Sequence, residues 1–108
     1  MMKQTLKFEI ELDENNLPLN IEMHASDRAA DENNIKALMV SAWAAKTKET
    51  LRIDLWTKDM QVNEMFIMYH QTMIGMAVSL EKATGNNKLA ATLRDYCDFF
   101  AEISKIKK

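Results

Sequence analysis

The chain has 108 residues, a formal net charge of −2, 47% hydrophobic and 28% charged residues, and one cysteine, Cys97. That length supports one domain rather than two, and the slightly acidic balance argues against a binder that works by neutralising phosphates. A single cysteine excludes an internal disulfide and fits a reducing compartment.

The opening MMKQTLKFEIEL already alternates apolar with charged residues, so it lacks the apolar core of a secretory signal. No run is long and apolar enough to span a bilayer. A cytoplasmic protein is therefore expected, with no membrane insertion and no nucleic-acid partner.

Leu6, Phe8, Ile10 and Leu12 alternate with Lys7, Glu9 and Glu11, the pattern of a half-buried strand. Asp13 to Asn16 is turn chemistry, and Leu17, Leu19, Ile21 and Met23 then alternate again. Pairing Leu12 with Leu17 puts Ile10 against Leu19, Phe8 against Ile21, and Lys7 against Glu22 on the wet face. Pro18 cannot donate to a ladder and points to an edge or a non-bonded site. Residues 26–34 (SDRAADENN) read as a polar connection. A second hairpin follows between Lys36 and Thr57, turning within KTKET. Leu51, Ile53 and Leu55 are its inward set on one strand. On the other strand Leu38, Val40, Ala42 and Ala44 are assigned inward, because Ser41 would be a poor buried residue without a partner.

Two helices complete the chain. Asp59 is expected to cap the first, which runs to about Thr84 and closes at Gly85. Asn86 or Asn87 caps the second, which runs to about Lys105 with one stripe of Leu89, Leu93, Tyr96, Cys97, Phe100 and Ile103. The first helix is apolar on more than one side: Val62, Phe66, Tyr69, Met73, Met76 with Ala77, and Leu80 on one, Ile67, Ile74 and Val78 on another. It is expected to be buried nearly all round, between the sheet and either the second helix or a second subunit. Gly75, in mid-helix, implies close packing by a neighbour. The predicted architecture is α+β: a four-stranded, mainly antiparallel sheet in two hairpins (residues 1–57), then two antiparallel helices (residues 59–106) on one face, forming a single domain over 1–108.

The outer face of the second hairpin carries Trp43, Trp56, Met39, Arg52 and Asp54. The tryptophans are expected to cluster with Met39, with Arg52 near enough to stack on an indole. One reading is that they shield the sheet and clamp Arg52. The other is a partner-binding patch, since aromatic residues, Met and Arg are enriched at protein interfaces.

Catalytic chemistry lacks company. His24 and His70 are the only histidines, and with Cys97 they do not give metal-ligand spacing. Cys97 lies on an apolar stripe, where a thiol behaves as a small hydrophobe. Glu9, Glu11 and Glu22 belong to a solvated face, and Asp54 reads as the ion-pair partner of Arg52. Two glycines cannot build a phosphate-cradling loop. The nine methionines read as core filler before an adaptable binding surface. The expectation is no enzyme, no metal and no cofactor.

The segments ELDENN (residues 11–16), IEMHASD (21–27), TLRIDLWTKDM (50–60) and IGMAVSLEKATG (74–85), together with Trp43, resemble the gliding motility-associated GldC family of Bacteroidetes-type bacteria. The chain departs from that pattern at Met23 and Gln61, where relatives carry an aromatic residue and a proline. The resemblance implies a cytoplasmic accessory protein of the gliding machinery, and through it of the linked secretion of surface adhesins. The family has no catalytic residues to transfer. Three readings stand beside one another: an interaction or stability factor acting through the tryptophan face, a homodimeric structural module, and a small-ligand binder between sheet and helices.

Overall fold

Apolar–charged alternation does produce strands in the computed structural model, which describes residues 2–26 and 32–106. Strand β1 (Leu6–Leu12) pairs antiparallel with β2 (Pro18–Ala25), and β2 with a short β3 (Glu32–Ile35). After Lys36 the chain enters β4 (Ala37–Ala44), which pairs antiparallel with β5 (Glu49–Trp56). Helices α1 (Val62–Thr84) and α2 (Asn87–Ser104) follow. The chain divides into two compact units, Met1–Met60 and Gln61–Lys108.

The expected single sheet of four strands is thus replaced by five strands in two sheets, β1-β2-β3 and β4-β5. The extra strand falls within the segment read as a polar connection, whose residues 27–31 lie outside the described residues. Its sequence, ENNI, has one apolar residue and no alternation, so its extended state comes from pairing with β2 rather than from its own pattern. Lys36 separates the two ladders, and its carbonyl accepts the N–H of Thr57 at 2.7 Å. The strand that was expected to start at Lys36 therefore begins one residue later.

The first hairpin keeps its faces but not its register. Ile10 stands opposite Ile21 and Phe8 opposite Met23, two residues from the expected partners. The turn explains the slip. Asp13 Oδ1 accepts the N–H groups of Asn15 (2.8 Å) and Leu17 (3.0 Å), and Asn16 takes a left-handed φ of 62°. That closed loop, with an irregularity between Glu11 and Leu12, sets Leu12 against Pro18. A slip of two leaves inner faces together, so Ile21 is still fully buried. Lys7 now faces His24, and Glu9 faces Glu22.

In the helical unit, α1 starts after Gln61, whose N–H is accepted by Glu64 Oε1 at 3.0 Å. Asp59 is not the cap. Residues 57–60 form a turn closed by the Met60 N–H on the Thr57 carbonyl, and the Asp59 carboxylate accepts the Thr57 hydroxyl at 2.6 Å. Gly85 does close α1 with φ 70°, and Asn86 Oδ1 caps α2 by accepting the Leu89 N–H at 3.0 Å. The helices pack through small residues. Ala77, Ala90, Cys97 and Ala101 are buried, while Leu89, Tyr96 and Ile103 of the expected stripe are exposed. Small side chains let two backbones approach, and the large neighbours then stand at the rim. Phe66 meets Phe100 edge to face, and Arg94 pairs with Glu81 at 3.1 Å. The expectation that α1 is buried nearly all round fails: Ala77 is its one buried residue, and Val62, Ile67, Ile74, Met76 and Val78 are exposed. A Cβ on Gly75 would meet nothing within 4 Å, so close packing is not its reason, and nothing in the structure explains it.

Candidate functional site

Direct pairing across β4 and β5 places Ala37 opposite Trp56, Met39 opposite Asp54, Ser41 opposite Arg52, and Trp43 opposite Thr50. Opposed residues of an antiparallel pair share a face. The eight residues therefore form one surface, with Leu38–Leu55, Val40–Ile53 and Ala42–Leu51 on the reverse; the faces divide as expected, but the reverse is not core, since Leu51 and Ile53 are exposed.

The centre of that surface is polar and ordered. Arg52 donates from Nη2 to Asp54 Oδ1 (2.7 Å), from Nε to Asp54 Oδ2 (3.3 Å) and from Nη1 to Ser41 Oγ (2.6 Å). A guanidinium held this way is directed at a carboxylate and a hydroxyl rather than stacked on an indole. Both partners are solvated, so the pair positions side chains more than it stabilises the fold.

The indoles lie at opposite ends. Trp43 and Trp56 are 65% and 54% exposed. Their rungs are six residues apart, roughly 20 Å along the strand. The expected clustering of the two with Met39 does not occur within one chain; Met39, Asp54, Arg52 and Ser41 are the group brought together. Trp56 lines a shallow pocket of about 170 Å³ with Leu17, Pro18, Thr57, Lys58 and Met60. Its wall is tied down by Lys58, whose N–H reaches the Pro18 carbonyl (3.2 Å) and whose ammonium pairs with Asp13 Oδ2 (3.0 Å). Asp13 is held below the ordinary carboxylate range, first by the Leu17 N–H and then by Lys58.

One cluster escaped the reading of the sequence. His24 Nε2 lies 3.2 Å from both Glu9 Oε1 and Glu22 Oε1, and the ligand atoms of the three residues all fall within 4.8 Å. Correct register was the missing signal, because Glu9 meets Glu22 only after the two-residue slip. Glu22 also accepts from Asn20 Nδ2 at 3.3 Å.

The other reactive groups are accounted for structurally. Cys97 is buried in the α1–α2 seam, where desolvation and then Asp98 push its thiol up, the reverse of an activated nucleophile. His70 stacks on Phe100 with ring centroids 6.4 Å apart. No helix among the described residues is long and apolar enough to cross a membrane.

Fold and surface together define a small α+β protein with an exposed aromatic sheet face. The chain belongs to the GldC-like family, described as gliding motility-associated protein GldC-like, which it matches over residues 18–106. The match runs from the first residue of β2 past the end of α2 and includes the whole β4–β5 surface. No curated protein and no solved structure matches the chain. The family associates the chain with gliding motility, and it is not a known enzyme family.

Proposed function

We propose that this chain is a non-catalytic, cytoplasmic accessory protein of the gliding machinery that docks a protein partner on the outer face of β4 and β5. The observation that carries this reading is the pair of exposed indoles, Trp43 and Trp56, flanking an ordered Arg52–Asp54 centre. Exposed tryptophan offers a large apolar area with little side-chain entropy to lose, and Arg is the charged residue most favoured at such sites. Met39 adds adaptable apolar contact. The shallow pocket beside Trp56 gives a partner's side chain somewhere to sit.

A cross-linked pull-down from a gliding bacterium tests this, comparing wild-type bait with a Trp43→Ser/Trp56→Ser variant shown to be folded by circular dichroism. Capture of a gliding-machinery component by the wild type and its loss with the variant is the expected result. Equal capture by both baits would remove the tryptophan face from the mechanism.

A further inference from the structure

Strand β5 has a second edge, and its chemistry selects an occupant. The Thr57 N–H bond to the Lys36 carbonyl sets the phase of the ladder. In unbroken register from there, Leu38–Leu55, Val40–Ile53 and Ala42–Leu51 are the hydrogen-bonded pairs. The backbone N–H and C=O groups of Thr50, Arg52, Asp54 and Trp56 therefore point away from β4. No described strand lies on that side.

Of the usual protections of an edge, only charge is present, at Glu49, Arg52 and Asp54. Strand β5 is eight residues of ETLRIDLW, with no Pro, no Lys and no bulge. Leu51 and Ile53 are 59% and 55% exposed. A two-stranded ribbon is marginal by itself.

We infer that β5 pairs antiparallel with β5 of a second copy, about a two-fold axis at Ile53. Among the centres that keep the apolar faces together, only this one sets Arg52 against the partner's Asp54. A centre at Arg52 would set that guanidinium against its own copy, and a centre at Asp54 would oppose two carboxylates. The Ile53 centre sets Arg52 opposite the partner's Asp54 twice, and Leu51 opposite the partner's Leu55. It also sets Thr50 opposite the partner's Trp56, and it joins the outward backbone groups as hydrogen-bonded pairs. Centres between residues would turn apolar faces to opposite sides. The free edge of β4 contains no charge from Ala37 to Ala44 and so selects no register.

The product is a four-stranded sheet, β4-β5-β5-β4, with one consequence for the surface described above. Trp56 lies beside the partner's Thr50, whose ladder neighbour is the partner's Trp43. Indoles roughly 20 Å apart in one chain become two mixed pairs about 10 Å apart, two strand spacings. This composite surface rests on the docking reading; the pairing itself does not.

Sedimentation velocity on the purified chain tests the pairing without any other protein. Wild type is expected to dimerise. Arg52→Asp and Asp54→Arg each place like charges opposite one another twice, weakening the dimer roughly tenfold or more in Kd. An equimolar mixture of the two variants restores opposite charges across the axis and is expected to dimerise, as is the double swap. The mixture separates the interface from the ion pair inside each chain, and its recovery shows both variants folded. Ile53→Cys should form a disulfide with its own copy, identified by mass spectrometry, since residues on the axis are close enough to bridge. A monomeric wild type up to about 100 μM, weaker than the range of specific pairing, would overturn the proposal. So would single variants that dimerise like wild type, or a mixture that stays monomeric.

Discussion

Backbone conformation at single residues explains both turn ends of the structure. Gly85 sits at φ 70° and donates its N–H to the Glu81 carbonyl, closing α1. A side chain there meets no neighbour, so its whole cost is conformational. Gly85→Ala should destabilise the helical unit by about 1 kcal/mol in urea melts. Lys48 presents the reverse case: at φ 58° in the β4–β5 turn it bears the left-handed penalty with a side chain. Lys48→Gly is expected to raise stability by up to about 1 kcal/mol, once the entropy of the freer unfolded chain is subtracted. Asp13 is the third such residue, since its carboxylate organises the first turn and anchors Lys58. Its lowered pKa means the folded state favours the ionised form. The stability it contributes is present above the ordinary carboxylate pKa of about 4 and is lost as pH falls through the depressed folded value. Wild type should therefore exceed Asp13→Asn in urea midpoint at pH 7, with the gap closing in acid below about pH 4.

At the scale of elements, the helical hairpin depends on small residues. Ala77 and Ala90 are fully buried, and Cys97 and Ala101 nearly so. Ala90→Leu should thus cost about 1–3 kcal/mol by overpacking, while Leu89→Ala at the exposed neighbouring position should cost far less. Urea unfolding of both variants checks the ordering. The same seam marks a limit of sequence reading. Hydrophobic periodicity located both helices, and Gly85 and the Asn86–Asn87 pair marked the break between them, because those signals are local; the start of α1 at Gln61 rather than Asp59 was not legible. Periodicity included the buried Ala77 and Cys97 but missed Ala90 and Ala101, since alanine carries little periodic signal although it can define where two backbones meet. Strand β3 was invisible for a related reason: ENNI extends because β2 offers partners, not because of its own alternation. Which side chains share a face was legible in both hairpins, since that depends only on parity, but their burial was not: Leu19, Leu51 and Ile53 of the expected inward sets are exposed. Exact register was not legible either, because the Asp13 hydrogen bonds and the irregularity beside Leu12 shift it by two. That shift concealed the Glu9–Glu22–His24 group; the second hairpin's own register, with Trp43 opposite Thr50 and Trp56 opposite Ala37, sets the tryptophans apart.

For the whole molecule, the two readings of the tryptophans differ in what their removal does to stability. If the indoles shield the sheet, Trp43→Ser/Trp56→Ser should unfold it readily. If they await a partner, the isolated protein should hardly notice. Their exposure favours the second outcome. Each is more than half exposed, they are about six residues apart along the ladder, and Arg52 is committed to Asp54 and Ser41 rather than to either ring. Surface substitutions away from packed contacts usually change stability by less than about 0.5 kcal/mol. The pocket beside Trp56 adds some packing, so its share should be the larger of the two. The double variant is expected to lose no more than about 1 kcal/mol, less than Ala90→Leu, while losing the capture that the proposed docking role predicts. A loss above about 2 kcal/mol would assign the indoles to the fold and remove the proposed docking role. Urea denaturation and pull-down on the same preparations decide between them, because the two readings predict opposite pairings of stability and capture.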